Sequence, residues 1–136
     1  MSIKEILSNA KTIAIIGCSS RQYRTSYMIA NYLLEAGYEI VPVNPNETLV
    51  FGRPCYPAIY TIPADLQIDI VNIFRNKMYT LDMINEIVDW SMNMNVKPAI
   101  WTQLDVSTSA SKELALNNGH QYIENRCILV EHKRFI

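Results

Sequence analysis

Glycine is scarce in this chain, with four in 136 residues at positions 17, 37, 52 and 119. That spacing rules out the dinucleotide fingerprint, which needs three closely spaced glycines between a strand and a helix. Cysteine is scarce too. Cys18, Cys55 and Cys127 are odd in number and far apart, which argues against a disulfide framework or a zinc site and fits free thiols in a reducing compartment. The only histidines are His120, after Gly119 in an expected loop, and His132, in the charged tail Glu131-His132-Lys133-Arg134. Both are expected to be solvated, and no catalytic constellation forms. A net charge of -1 leaves no electrostatic footprint for nucleic acid or an anionic membrane, so any cationic site must be local. No run approaches the ~20 apolar residues that span a bilayer, and the start MSIKE carries no cationic region before an apolar one. The expectation is a soluble cytoplasmic protein with one domain over residues 1–136, long enough to bury its own core.

What is present centres on residues 11–26, KTIAIIGCSSRQYRTS. Thr12 to Ile16 form a β-branched, nearly all-apolar run, the pattern of a central parallel strand covered on both faces. Gly17 breaks it. Small polar residues (Cys18, Ser19, Ser20) and two arginines (Arg21, Arg24) follow, and Thr25 or Ser26 is placed to cap the next helix. A helix start offers unpaired N–H groups and partial positive charge, so this loop outlines an anion site. A single glycine at such a turn also occurs for steric reasons alone. Cys18, beside a helix start and two arginines, is placed for thiolate character.

Ser2-x-x-Glu5 is a capping-box pattern that predicts a short helix with Ile3, Ile6 and Leu7 on one face. Ile29, Leu33 and Ala36 mark a helix ending at Gly37, and Tyr38 to Val43 a second strand. That strand delivers Asn44-Pro45-Asn46 where nicotinamide-binding folds carry an acid for the ribose hydroxyls; the nearest acid, Glu47, lies beyond a turn. A ribose bearing a phosphate would explain the missing carboxylate. Leu49 to Phe51 and Cys55-Tyr56 flank Gly52-Arg53-Pro54, which predicts one very short edge strand, and Pro57 to Leu66 is expected to be irregular.

Asp69 to Phe74 is a third buried strand ending in Arg75 at the ligand edge; Leu81, Ile84, Ile87 and Val88 give a helix; Ala99 to Trp101 is a strand followed by Gln103. Ser107 or Thr108 caps a further helix through Ala110, Leu114 and Ala115, ahead of a last strand, Gln121 to Ile123. Helix-length crossovers require parallel strands with right-handed connections, so the fold class is α/β, a doubly wound, Rossmann-like sheet of five or six mainly parallel strands.

The segments KTIAIIGCSS with Arg24, AGYEIVPVNPN, FGRPCYPAI, DIVNIFR, WTQ and NRCILVEHKR, in that order and over almost the whole chain, resemble the small single-domain CoA-binding proteins of the succinyl-CoA synthetase α-subunit N-terminal type. The resemblance implies strand order 3-2-1-4-5, with a sixth strand if the tail pairs, and coenzyme A across the carboxyl edge of the sheet. It places Gly17, Ser19 and Arg24 at the phosphates, with Cys18 and Ser26 in the same loop and helix start. Val43, Asn44 and Pro45 would wall the adenosine region, Phe74 and Arg75 flank the diphosphate or pantetheine path, and Gln103 lie near the pantetheine end. Two positions depart from the pattern: Cys18, where a small or apolar residue is usual, and Asp105, where a glycine is usual. The Asp105 carboxylate is expected either to face the ligand or, preferably, to lie against the following helix start. The function expected is a non-catalytic carrier or sensor of coenzyme A or an acyl-CoA, acting as a homodimer or with a protein partner. The alternatives are an NAD(P)-dependent oxidoreductase domain and a thiol-redox protein joining Cys18 to the CoA thiol.

Overall fold

The computed structural model describes all residues, Met1–Ile136. Five parallel strands form one sheet: β1 (Thr12–Ile16), β2 (Glu39–Val43), β5 (Ile70–Ile73), β6 (Ala99–Thr102) and β7 (Tyr122–Ile123), in the order β2-β1-β5-β6-β7. The helices are α1 (Ile3–Asn9), α2 (Thr25–Glu35), α3 (Thr80–Met94), α4 (Ser109–Asn117) and α5 (Ile128–Phe135). Alternation along each strand sends neighbouring residues to opposite faces. Ile13 and Ile15 accordingly join Leu7, Leu33, Trp101 and Ile128 in a core under α1, α2 and α5. Ala14 and Ile16 join Val71, Ile73, Ile84, Ile87 and Ala115 under α3 and α4. Both faces of the sheet are therefore covered, which is why its strands read as unbroken apolar runs.

The capping box at Ser2 and Glu5 forms as its spacing predicts, and α3 ends on Asn95 in a left-handed conformation. Two expectations need correction at the β2 edge. The region after β2 is a hairpin, β3 (Leu49–Val50) antiparallel to β4 (Arg53–Pro54), and not one edge strand. Its two-residue turn has positive φ at both Phe51 and Gly52, the conformation that matches strand twist; Phe51 is held there by stacking on Tyr27, ring centroids 4.4 Å apart. The place outside β2 is taken only by a single bridge between Val43 and Tyr56, so the order 3-2-1-4-5 is not what forms. Pro42, in β2, sits on the edge strand, where a missing N–H is tolerated.

The tail is not a sixth strand, and His132 within it is not solvated. It forms α5, whose Ile128, Glu131 and His132 are buried. His132 packs edge-on against Tyr32 and Tyr38 and shares a 2.8 Å hydrogen bond with the Tyr32 hydroxyl. His120 is also buried, with Nδ1 2.8 Å from the Pro98 carbonyl. The charged appearance of EHKRF concealed one apolar helical stripe, Ile128, Leu129 and His132, at spacings of one and four.

Candidate functional site

Chain direction reverses at the sheet's centre: β1 leads outward to β2, and the return places β5 on the other side of β1. In open α/β sheets ligands bind in the crevice beyond the carboxyl ends of the strands at such a point. Here the crevice lies between the loop after β1 and the Phe74-Arg75 corner after β5. Gly17 has φ +86°, and a Cβ there would run into the Phe74 carbonyl oxygen. The loop can approach β5 this closely only with glycine.

Hydrogen bonds set the loop's shape. Gly17 N–H donates to the Val43 carbonyl (2.8 Å), Ser19 N–H to Ser26 Oγ (3.1 Å) and Arg21 N–H to Ser19 Oγ (3.0 Å). Asn44 Nδ2 donates to the Cys18 carbonyl (3.0 Å), while Asn44 Oδ1 accepts from Asn46 N–H. Ser26 therefore braces the loop instead of capping α2, correcting the expected cap; the N-cap position is Arg24, without a side-chain cap. The N–H groups of Thr25, Ser26 and Tyr27 find no acceptor. By contrast, α1 and α4 are capped by Ser2 and Thr108. An uncapped first turn keeps its donors and its dipole available to an anion.

Two grooves open here and share Arg75. One, of about 550 Å³, is lined by Gly17, Arg24, Ser26, Phe74, Gln103 and Cys127, among others. The second, of about 230 Å³, runs toward β2 past Val43, Pro45, Ile59 and Tyr60. Seven of the sequence-selected residues thus line one of the two grooves through their positions at strand ends (Gly17, Phe74, Arg75, Gln103, Val43, Pro45) or at the start of α2 (Arg24), and Ser26 joins them while bracing the loop. Neither Arg24 nor Arg75 is within ion-pair distance of a carboxylate; the Arg75 guanidinium lies 5.1 Å over the Tyr79 ring. Ser19 and Asn44 line neither groove and serve to hold the loop.

Cys18 is corrected outright. Its side chain is fully buried in the core beneath the loop, and burial, with Cys55 and Glu47 adding to it, pushes the thiol up to about 12. Thiolate character is the reverse of what the environment favours. Asp105 is corrected too: its carboxylate lies 3.2 Å from Lys77 Nζ, neither in the groove nor against α4. Its backbone has φ +60°, a left-handed conformation for which glycine is the relaxed residue.

Gln103 directly follows β6 and is a buried amide with 7 % of its surface exposed. Its Oε1 accepts from Asn72 Nδ2 (3.1 Å) and from the Ile128 N–H (3.0 Å). Two donors at one atom fix that atom as the oxygen, so Nε2 is the end left over. It has no partner in the protein, is not sealed in, and belongs to the groove wall. Asn72, fully buried in β5, was hidden inside the apolar run DIVNIF. Cys127, the N-cap position of α5, was passed over as one free thiol among three; the cue was the apolar stripe of the helix that it begins. A larger depression of about 1090 Å³ lies by α1 and β7, away from the switch point.

Proteins of similar sequence share this fold. An uncharacterized protein of Bacillus subtilis, YneT, is 34% identical over 130 residues, 96% of this chain and 91% of that one. A hypothetical protein from Pyrococcus horikoshii has a solved structure that superposes with a TM-score of 0.87 at 32% identity, over 98% of this chain and 89% of that one. An ADP-forming acetate–CoA ligase of Methanocaldococcus jannaschii is 29% identical over 65 residues, 48% of this chain but 9% of the ligase. The profile of the CoA binding domain matches residues 11–133, and the chain belongs to that family.

Proposed function

We propose that the protein binds coenzyme A or an acyl-CoA along the carboxyl edge of its sheet, as a non-catalytic carrier or sensor. The supporting observation is the groove that runs from the uncapped first turn of α2, past two unpaired guanidinium groups, to the Gln103 amide nitrogen, which has no partner in the protein. That order suits a ligand with a multiply charged phosphate end and a long neutral arm bearing amides. Arg24 and the α2 turn meet phosphate, the Val43–Pro45 groove takes the adenine, and Gln103 Nε2 donates to an amide carbonyl of the arm. Asn44 in place of an acid, and the absence of clustered glycines, count against a nicotinamide dinucleotide. Both histidines are buried in structural contacts, and neither lines the groove.

Thermal unfolding with coenzyme A, NAD, NADP and FMN at equal concentration tests the reading, because a ligand selective for the native state stabilises by mass action. Coenzyme A is expected to raise Tm most. Stabilisation by NAD without stabilisation by coenzyme A overturns it.

A further inference from the structure

The groove ends on a thiol. Cys127 lines it together with Gln103, and the two are joined through the next residue, whose N–H is bonded to Gln103 Oε1. Cys18 and Cys55, by contrast, are buried in the core, and burial raises the pKa of both thiols. Cys127 is half-buried, with its surroundings open to the groove. On the same wall Gln103, more than nine-tenths buried, has its Oε1 bonded within the protein and its Nε2 without a protein partner, which marks this end of the groove as built for a polar acceptor of a ligand.

We infer that Cys127 is a site of covalent loading by coenzyme A: it exchanges with a disulfide of coenzyme A to form a protein–CoA mixed disulfide. This rests on the coenzyme A reading above, which brings the sulfur-bearing arm to the Gln103 end. Cys127 gives its proton to solvent and its sulfur attacks the near sulfur of the bound disulfide. The S–S bond breaks, and the second coenzyme A leaves as a thiolate that takes up a proton. One disulfide is consumed and one formed, so the oxidant is the ligand itself. Holding the two sulfurs in one groove makes the exchange effectively intramolecular, which a small disulfide without the nucleotide end does not enjoy. A reversible site thereby becomes a covalently charged one when the ligand pool is oxidised.

The test uses the whole reduced protein, freed of reductant and incubated with coenzyme A disulfide or, in parallel, glutathione disulfide. Intact-mass measurement is expected to show one adduct, the mass of coenzyme A less two hydrogens, mapped by peptide analysis to Cys127 and removed by dithiothreitol. It is expected to form about tenfold or more faster than the glutathione adduct. Calorimetry of coenzyme A with wild-type protein under reductant checks the underlying reading separately. Reversible binding without an adduct, an adduct on Cys18 or Cys55, or equal rates with both disulfides overturns the inference and leaves that reading standing. Absence of reversible binding overturns both.

Discussion

The side-chain oxygen of Gln103 accepts the backbone N–H of Ile128 at 3.0 Å, so the end of β6 and the start of α5 are fixed to each other at the groove. The same oxygen takes the amide of Asn72, from the neighbouring strand. Gln103→Ala would leave the Ile128 N–H buried and unpaired, at about 1 to 3 kcal/mol, and would leave Asn72 Nδ2 only its 3.3 Å bond to the Trp101 carbonyl. The expected result in urea unfolding is a loss of at least ~1 kcal/mol. Gln103→Glu keeps the acceptor but replaces the groove-facing donors with negative charge. Its stability loss is expected to be smaller than that of the alanine variant and its loss of coenzyme A affinity larger; the opposite ranking removes Gln103 from ligand binding.

Arg24 is exposed and unpaired beside the free N–H groups of α2. Arg24→Ala is expected to weaken coenzyme A binding by about 1.5 to 3 kcal/mol, the range for a charge-assisted bond, with unfolding almost unchanged. Unaltered affinity in calorimetry would place the phosphates elsewhere.

Gly17→Ala confronts both a positive φ and the Phe74 carbonyl oxygen. Left-handed backbone alone costs a non-glycine residue roughly 1 to 2 kcal/mol, and relieving the clash separates the loop from β5. A destabilisation of more than ~2 kcal/mol with weakened ligand binding is expected. A variant as stable as wild type would mean that the loop does not approach β5 as described.

The buried histidines predict how stability responds to acid. Desolvation lowers the pKa of both His120, which the Pro98 carbonyl partly opposes, and His132. The unfolded chain therefore takes up protons first: stability is complete above the ordinary value of 6.5 and falls as pH drops toward the lowered folded values. Urea unfolding at about pH 7.5 and about pH 5.5 is expected to show lower stability at the acid end. His132→Asn is expected to reduce that difference; an unchanged slope would assign it to other groups.

Asp105→Gly trades an exposed ion pair with Lys77 for relief of the left-handed backbone. The expected outcome is a stability change within about 1 kcal/mol, neutral to favourable, and coenzyme A affinity unaltered at low and high salt. Tighter binding at low salt would put the carboxylate in the ligand's path.

Strand ends were legible because buried parallel strands announce themselves as β-branched runs, and whatever follows each run must lie on the carboxyl edge. Gly17, Arg75 and Gln103 were reachable in that way. Side-chain direction was not. Cys18 and Arg24 belong to one short loop, yet one turns into the core and the other into solvent, a division set by the Asn44 and Ser26 braces that come from distant or later residues. Asn72 was missed for a related reason: a polar residue inside an apolar run gains meaning only from its partner across the sheet, and Cys127, a lone thiol before a charged segment, gains it only from the groove that it lines with Gln103.

The main groove takes its walls from both ends of the sequence, with Gly17 and Arg24 near the beginning and Cys127 near the end. Contacts of such long range close late, because the loop entropy they cost is recovered only when the intervening strands are already paired. A partly folded chain in which α5 has not docked has an incomplete ligand site. Coenzyme A is then expected to leave the rate of folding almost untouched and to slow unfolding, so that occupancy extends the lifetime of the native state rather than hastening its arrival.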